Sequence, residues 1–243
     1  MILSHTLLAV RLALFINLIL FVSITLIGVE WSLAWFSASL IAYVLMGGCG
    51  ITATYHRYYS HRSFEFRHPA IKVAFTIFGT LAASGSALAW ASVHRLHHKH
   101  SDTNKDPHSP DHDPTGTIFL NYKVKSIGSW HGGRDLVSDK IVKITHRFYL
   151  AIVLAYVFAL TAISVEALYF LFVVPSLAVL LVSGLTNFLQ HKDGQPKNVP
   201  WLALINFGEA WHIAHHKSPK SPSNSRRWFE IDPASWIIKM ASQ

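Results

Sequence analysis

The sequence predicts an all-α integral membrane protein, with four transmembrane helices in two hairpins and a helical cap on the cytoplasmic side. Three observations carry that prediction. First, 51% of the residues are hydrophobic and only 14% are charged, against roughly 25% charged in an average soluble domain. Second, four apolar runs reach the roughly 17–25 residues that a helix needs to cross a bilayer. Third, the cations are segregated. Thirteen Lys and Arg lie between Arg57 and Arg147, seven lie between Lys192 and Lys239, and Arg11 stands alone. The short turns between paired runs carry Glu30 and Glu166 and no cation. Cytoplasmic loops of membrane proteins show this bias, so both basic blocks, the histidine clusters within them and both termini are expected on the cytoplasmic side.

The first predicted span covers 7–29, "LLAVRLALFINLILFVSITLIGV", with Arg11 near its end and able to snorkel to the headgroups. Its apolar run exceeds a signal-peptide core of roughly 7–15 residues, and it has no small-residue cleavage site, so it reads as an uncleaved span. The second span covers 31–55, with "WSLAW" at the interface and "GGCG" toward its far end. The third and fourth cover 147–165 and 167–190. Very short turns make each pair an antiparallel hairpin. A fifth apolar stretch, 71–93, contains Lys72 and "SGS" and has histidines on both sides. A span there would put those histidines on opposite faces of the membrane, so a buried or re-entrant helix is expected. Residues 56–146 and 191–243 then form the cap, and 1–243 is a single membrane domain.

The net charge of +8 brings no nucleic-acid recognition motif with it, and the positive-inside pattern accounts for it. The single cysteine, Cys49, rules out an intramolecular disulfide or a thiolate metal cluster within one chain. It reads as a small apolar residue of a span.

Histidine is where the chemistry concentrates. Three clusters lie at the ends of apolar segments: "HRYYSH" with His56 and His61, "HRLHH" with His94, His97 and His98, and "HIAHH" with His212, His215 and His216. In HxxHH the histidines at i, i+3 and i+4 share a helix face. Two such helices facing each other present six imidazoles to a cavity, as helical bundles do for metal pairs. His56 and His61 are five apart, about 140° around an ideal helix. They serve one site only if the helix ends or bends between them, and otherwise serve two metals. Eight histidines are twice the four ligands of a structural zinc site, which argues for more than one metal. Imidazole suits iron, zinc, copper and nickel. No HExxH occurs, so a metalloprotease lacks its glutamate base. His5, His68, His131 and His146 read as ordinary surface or core histidines. His100, His108 and His112 read as second-layer or surface groups rather than ligands.

The clusters with their flanks resemble the membrane fatty-acid desaturases of the acyl-CoA desaturase type. "GITATYHRYYSHRSFEF" is similar to that family's first histidine box, "HRLHHKHSDTNKDPHSP" to its second box with an acidic DPH turn, and "NFGEAWHIAHH" to its third. The resemblance spans about residues 47–235. It implies a ninth ligand, because "NFLQH" matches the family's Asn-x-x-x-His motif: His191 on a metal, and Asn187 reaching the metal through water. It also implies two iron ions, O2 and two electrons from a donor such as ferredoxin or cytochrome b5. The substrate would be a fatty acyl chain on CoA, acyl carrier protein or a lipid, receiving a cis double bond at a Δ9-type position. No residue need act as a general base, since the irons carry the chemistry. Glu209 is a candidate to orient a ligand histidine, and Arg57, Arg62 and Arg95 are candidates for a phosphate-bearing head group or an acidic donor. The aromatic "WWSHxGW"-like stretch common after the DPH turn is replaced by "GTIFLNYKVKSIGSW", and no fused cytochrome domain is expected. The same boxes also occur in sibling hydroxylases and in desaturases of other lipids. A histidine-rich metal transporter would instead carry its ligands within the spans.

Overall fold

A computed structural model describes residues 2–120 and 129–243, without the side chains of residues 2–9 and 129–131. Lys123, Lys125 and most of the segment that replaces the aromatic stretch, and the side chains of His5 and His131, lie outside the described residues. Among the described residues the regular elements are helices, and the only β pairing is an isolated bridge between Phe66 and Ser242.

Helix α1 is Ile2–Ile27 and α2 is Leu33–Ser60. The extended Ser32 starts α2 by accepting the Trp35 N–H on its hydroxyl, the usual N-cap device. From Val44 to Ser60, α2 is a π-helix. Helix α8, Val165–His191, is capped by Ser164 and has a π-helical turn at Tyr169–Val173. These three helices are long and apolar enough to cross a membrane. The stretch predicted as the third span, 147–165, is different. Its helix α7, Tyr149–Ile163, has 15 residues and meets α6, Lys140–Arg147, at a 70° bend. Only as a bent pair do α6 and α7 reach a fourth span's length. Large apolar side chains are exposed along α1, α2 and α7, including Phe15, Ile19, Phe36, Leu40, Leu154 and Phe158. Such a continuous apolar exterior belongs in lipid.

The stretch 71–93, expected as one buried or re-entrant helix, folds instead as two helices. Helix α3 is Pro69–Leu81 and α4 is Ala87–His100. Between them Ala83 and Gly85 take positive φ. The Tyr149 hydroxyl accepts the Gly85 N–H at 3.0 Å, and Ser86 caps α4. Helix α3 crosses α2 at near backbone contact: a Cβ on Gly50 would stand 2.3 Å from the Gly79 nitrogen. Tyr55 and Tyr59 of α2 sit on Thr80 and Thr76 of α3, at 3.0 and 2.8 Å. Against α2 and α8 the apolar core closes with stacked Trp35 and Phe170, their centroids 5.9 Å apart. A short α5, Pro114–Ile118, lies against α8. The chain then returns through α9, His212–Lys217, and α10, Pro233–Ala241. This packing brings the ends of α2, α4 and α8, with α9, to one place.

Candidate metal centre

Nine imidazoles converge there in two adjoining groups. The potential ligand nitrogens of His56, His61, His94, His98 and His215 lie within 4.8 Å of one another, and so do those of His97, His191, His212 and His216. Each HxxHH box is shared between the groups. The i, i+4 pair of α4, His94 and His98, joins the first group while His97 joins the second. In α9 the i, i+4 pair His212 and His216 joins the second while His215 crosses to the first. All nine residues singled out by sequence are therefore brought together, as two sets rather than six imidazoles around one point.

His56 and His61 fall in the same group, against what an ideal α-helix allows. The reason is local. A π-helix bonds i to i+5, which brings residues five apart toward one face. The side chains repeat that register: Ser60 donates to the Tyr55 carbonyl and Thr54 to the Cys49 carbonyl. His61 stands just past the last helical residue.

Carboxylates fix the rings from behind. His56 Nδ1 faces Glu209 Oε2 at 3.0 Å, His97 Nδ1 faces Asp106 at 2.9 Å, and His191 Nδ1 faces Asp102 at 2.9 Å. Glu209, the candidate to orient a histidine, thus faces the His56 ring. Asp102 was not singled out, and Asp106 only as the acid of the DPH turn; their signal is two acids in the turn just after α4, four residues apart. Asp106 also accepts the backbone N–H groups of Asp102 and His108, so the turn folds around its carboxylate. Burial pushes Asp106 up to about 6, which leaves it ionised at neutral pH. Glu209 would be raised by burial too, but His56 and Arg57 hold it down at about 2.

The donor set fits a cation. Nδ1 protons directed at Asp106 and Asp102 leave a lone pair on Nε2 of His97 and of His191, and these two nitrogens face each other at 3.1 Å. Nε2 of His191 is also 2.6 Å from Nε2 of His212, and Nε2 of His215 is 2.9 Å from that of His98. Burial, then the neighbouring imidazoles, holds His94, His97, His212 and His215 well below the ordinary histidine value, so protonation does not relieve the opposition. Metal ligation does. Nitrogens about 2.0–2.1 Å from an ion are within about 4.2 Å of each other, the scale of these clusters. Each group can hold a metal ion. A third set, His97, Asp106 and His108, shares only His97 with the second group, and the His108 ring stacks on His97 at 4.1 Å.

The remaining candidates separate cleanly. Asn187 lines the cavity described below, one turn before His191. Arg57 is 1% exposed and bonds Glu209, Asp232 and the Pro222 carbonyl, so it faces no outside ligand. Arg62 and Arg95 both pair with Asp135. His68 caps α3, and Ser86 bonds His146. Of the three histidines read as outside the ligand set, His112 is exposed and His100 half-buried, whereas His108 is buried beside His97.

Beneath the histidines lies a cavity of about 120 Å³. His56, His94 and His212 stand at its edge, and Gly47, Ile51, Val93, Val179 and Val182 line it. Trp90 also lines it and stacks on His94, their centroids 4.9 Å apart. The arrangement is that of a membrane protein with two adjoining histidine clusters, each able to hold a metal ion, over an apolar cavity. Comparison with known proteins gives the family. Residues 30–241 match the model for fatty acid desaturases, and the chain belongs to that family. It is 32% identical to Delta-9 acyl-lipid desaturase 1 of Arabidopsis thaliana over 217 residues, covering 83% of this chain and 70% of the relative. It is 31% identical to the sn-1 stearoyl-lipid 9-desaturase of Synechocystis, covering 84% and 68%. Identity to Acyl-CoA desaturase 1 of Saccharomyces cerevisiae is 28%, covering 83% of this chain but 43% of the yeast protein's length.

Proposed function

We propose that this chain is an O2-dependent fatty acyl desaturase that introduces a cis double bond, at a Δ9-type position, into a long acyl chain. The observation that carries the reading is the meeting of two imidazole clusters with an apolar cavity. Two iron ions are the proposed occupants: one held by His56, His61, His94, His98 and His215, the other by His97, His191, His212 and His216, with Asn187 reaching the second through water. When bound, the irons supply the oxidation: O2, two electrons and two protons are consumed, two hydrogens leave adjacent methylenes, and two waters form.

The protein's own contribution is position and dryness. Aliphatic C–H bonds offer no acid or base handle, so selectivity comes from where the chain is held. Gly47, Ile51, Val93, Val179 and Val182 give that chain an apolar wall. Trp90 covers His94 from the cavity side and excludes water. Glu209, Asp106 and Asp102 keep the Nδ1 protons of His56, His97 and His191 in place and so hold each Nε2 lone pair toward the metal. Helices α1 and α2 form one hairpin and α6–α7 with α8 the other, with the histidine clusters and both termini on the cytoplasmic side, where a donor such as ferredoxin or cytochrome b5 delivers electrons. The substrate chain is carried on CoA, acyl carrier protein or a lipid.

The test is the fatty-acid profile, by gas chromatography–mass spectrometry, of cells expressing the chain with a ferredoxin and its reductase, beside the His97→Ala variant. A new monounsaturated acid absent from the variant supports the reading, and derivatisation locates the bond. A new hydroxy acid would replace it with a hydroxylase, and identical profiles would overturn it.

A further inference from the structure

The C-terminal quarter of the chain carries a row of large side chains that the fold leaves uncovered. Trp228 is 96% exposed, and Phe229, Ile231, Trp236 and Met240 are also exposed. Helix α10 explains the last two. It buries Ala234, Ile238 and Ala241 and presents Trp236 and Met240, four apart, on its opposite face. Cations border the row: Arg226 and Arg227 precede Trp228, Lys239 is exposed on α10, and the Arg227 guanidinium sits 5.8 Å from the Phe229 ring centroid.

The segment is held firmly in this pose. Asp232, 1% exposed, accepts from Arg57, Ser223 and the Asn224 N–H, and the Trp211 indole donates to the Ile231 carbonyl at 2.8 Å. Trp228 and Phe229 are thus kept on the outside by a buried ionic anchor rather than left loose.

The row also continues the lipid-facing exterior. Ile237 packs on α2 so closely that a Cβ at Gly48 would stand 3.0 Å from its Cδ1. One helical turn from Gly48 toward the lipid-facing Leu40 and Ile41, the Tyr43 hydroxyl donates to the Ile205 carbonyl. That bond ties the turn carrying the exposed Trp201, Leu204 and Ile205 to α2 close to the exposed Leu40 and Ile41. The Ala234 N–H donates to the Phe207 carbonyl at 3.2 Å, which joins this turn to α10.

We propose that residues Arg226–Met240, with the Trp201–Ile205 turn, form a docking surface for an anionic lipid bilayer. Trp228, Phe229, Trp236 and Met240 enter the headgroup–acyl boundary, and Arg226, Arg227 and Lys239 meet lipid phosphates. Tryptophan prefers that boundary, cations snorkel from it to anionic headgroups, and apolar area and charge add in such binding. The proposal rests on the membrane reading of α1, α2 and α8 and not on the desaturase chemistry.

Spin labels test it in the full chain. Cys49, the single native cysteine, is replaced by Ser, and one label is attached through Trp228→Cys, Trp236→Cys, Lys220→Cys or Phe158→Cys. The protein is placed in nanodiscs of phosphatidylcholine, with or without phosphatidylglycerol. The readout is the ratio of collisions with O2, which concentrates in acyl chains, to collisions with a water-soluble nickel chelate. Labels at 228 and 236 should give a ratio several-fold above that at 220. With phosphatidylglycerol the ratio should rise further, and Arg226→Glu with Arg227→Glu should abolish that rise. A ratio equal to that at 220 would overturn the proposal, as would no effect of phosphatidylglycerol. Labels shielded from both colliders would also overturn it and assign the face to a second copy or another protein. The Phe158 label separates this failure from failure of the membrane reading: it should be buried in lipid in every case.

Discussion

Replacing Asp106 by asparagine should weaken one metal group and spare the other. The side chain is fully buried, and its oxygens accept from His97 Nδ1 at 2.9 and 3.0 Å, from the Asp102 N–H at 2.9 Å and from the His108 N–H at 3.0 Å. Asparagine keeps the volume but has one acceptor oxygen, so its NH2 must oppose a backbone N–H. A hydrogen bond to a charged group contributes about 1.5–3 kcal/mol, and a buried donor left unsatisfied costs about 1–3 kcal/mol. Loss of such an orienting carboxylate lowers metal affinity about 10–100-fold, which is about 1.4–2.8 kcal/mol and agrees with the hydrogen-bond figure. Because His97 belongs to the second group, the second ion should weaken by that factor while the first is unchanged. Competition against a chelator of known affinity, read as metals bound per chain, measures both. Glu209→Gln, acting on His56, should show the reverse selectivity. Equal weakening of both ions by Asp106→Asn, or none, would refute the assignment of Asp106 to one group.

Other perturbations test the scaffold. Gly50→Ala places a Cβ 2.3 Å from the Gly79 nitrogen and 2.6 Å from its Cα; overpacking costs about 1–3 kcal/mol, and a lower melting temperature in detergent should show it. Arg57→Met strands Glu209 and Asp232; leaving one side of a buried ion pair costs about 3–5 kcal/mol, read as loss of folded protein on size exclusion. At the surface, burial would raise the Asp135 carboxyl, yet bonds from Arg95 and Arg62 leave it below its ordinary value. A folded value below the unfolded one, ~3.9, stabilises above that pH and is lost as pH falls through the folded value. Asp135→Asn should therefore flatten the fall in melting temperature below about pH 4.

Much of this was legible because it is written in periodicity. The runs at 7–29, 31–55 and 167–190 are continuous, and three long apolar helices occupy them. The HxxHH spacing placed ligands on one helix face, and α4 and α9 are helical there. What periodicity cannot carry is helix geometry and crossing. The π-helical register of α2 runs through its close packing against α3, where Gly50 meets Gly79 and Tyr55 and Tyr59 meet Thr80 and Thr76. That register, with the helix ending at Ser60, brings His56 and His61 together. The division of each box between two groups depends on how α4 and α9 face each other. Asp102 and Asp106 lie in a turn, with Asp102 at φ +63°, where spacing gives no sign of which way a side chain points. The 70° bend between α6 and α7 follows polar "KITHR", which could have marked 147–165 as a shorter span than its neighbours.

In the proposed function nine histidines hold two irons, as a five and a four. Iron per chain in protein purified without oxygen, beside His94→Ala and His212→Ala, tests it most directly. Two irons are expected in the parent and about one in each variant, with His94→Ala emptying the five-histidine group and His212→Ala the four. A single iron in the parent, zinc in its place, or full occupancy in either variant would contradict it.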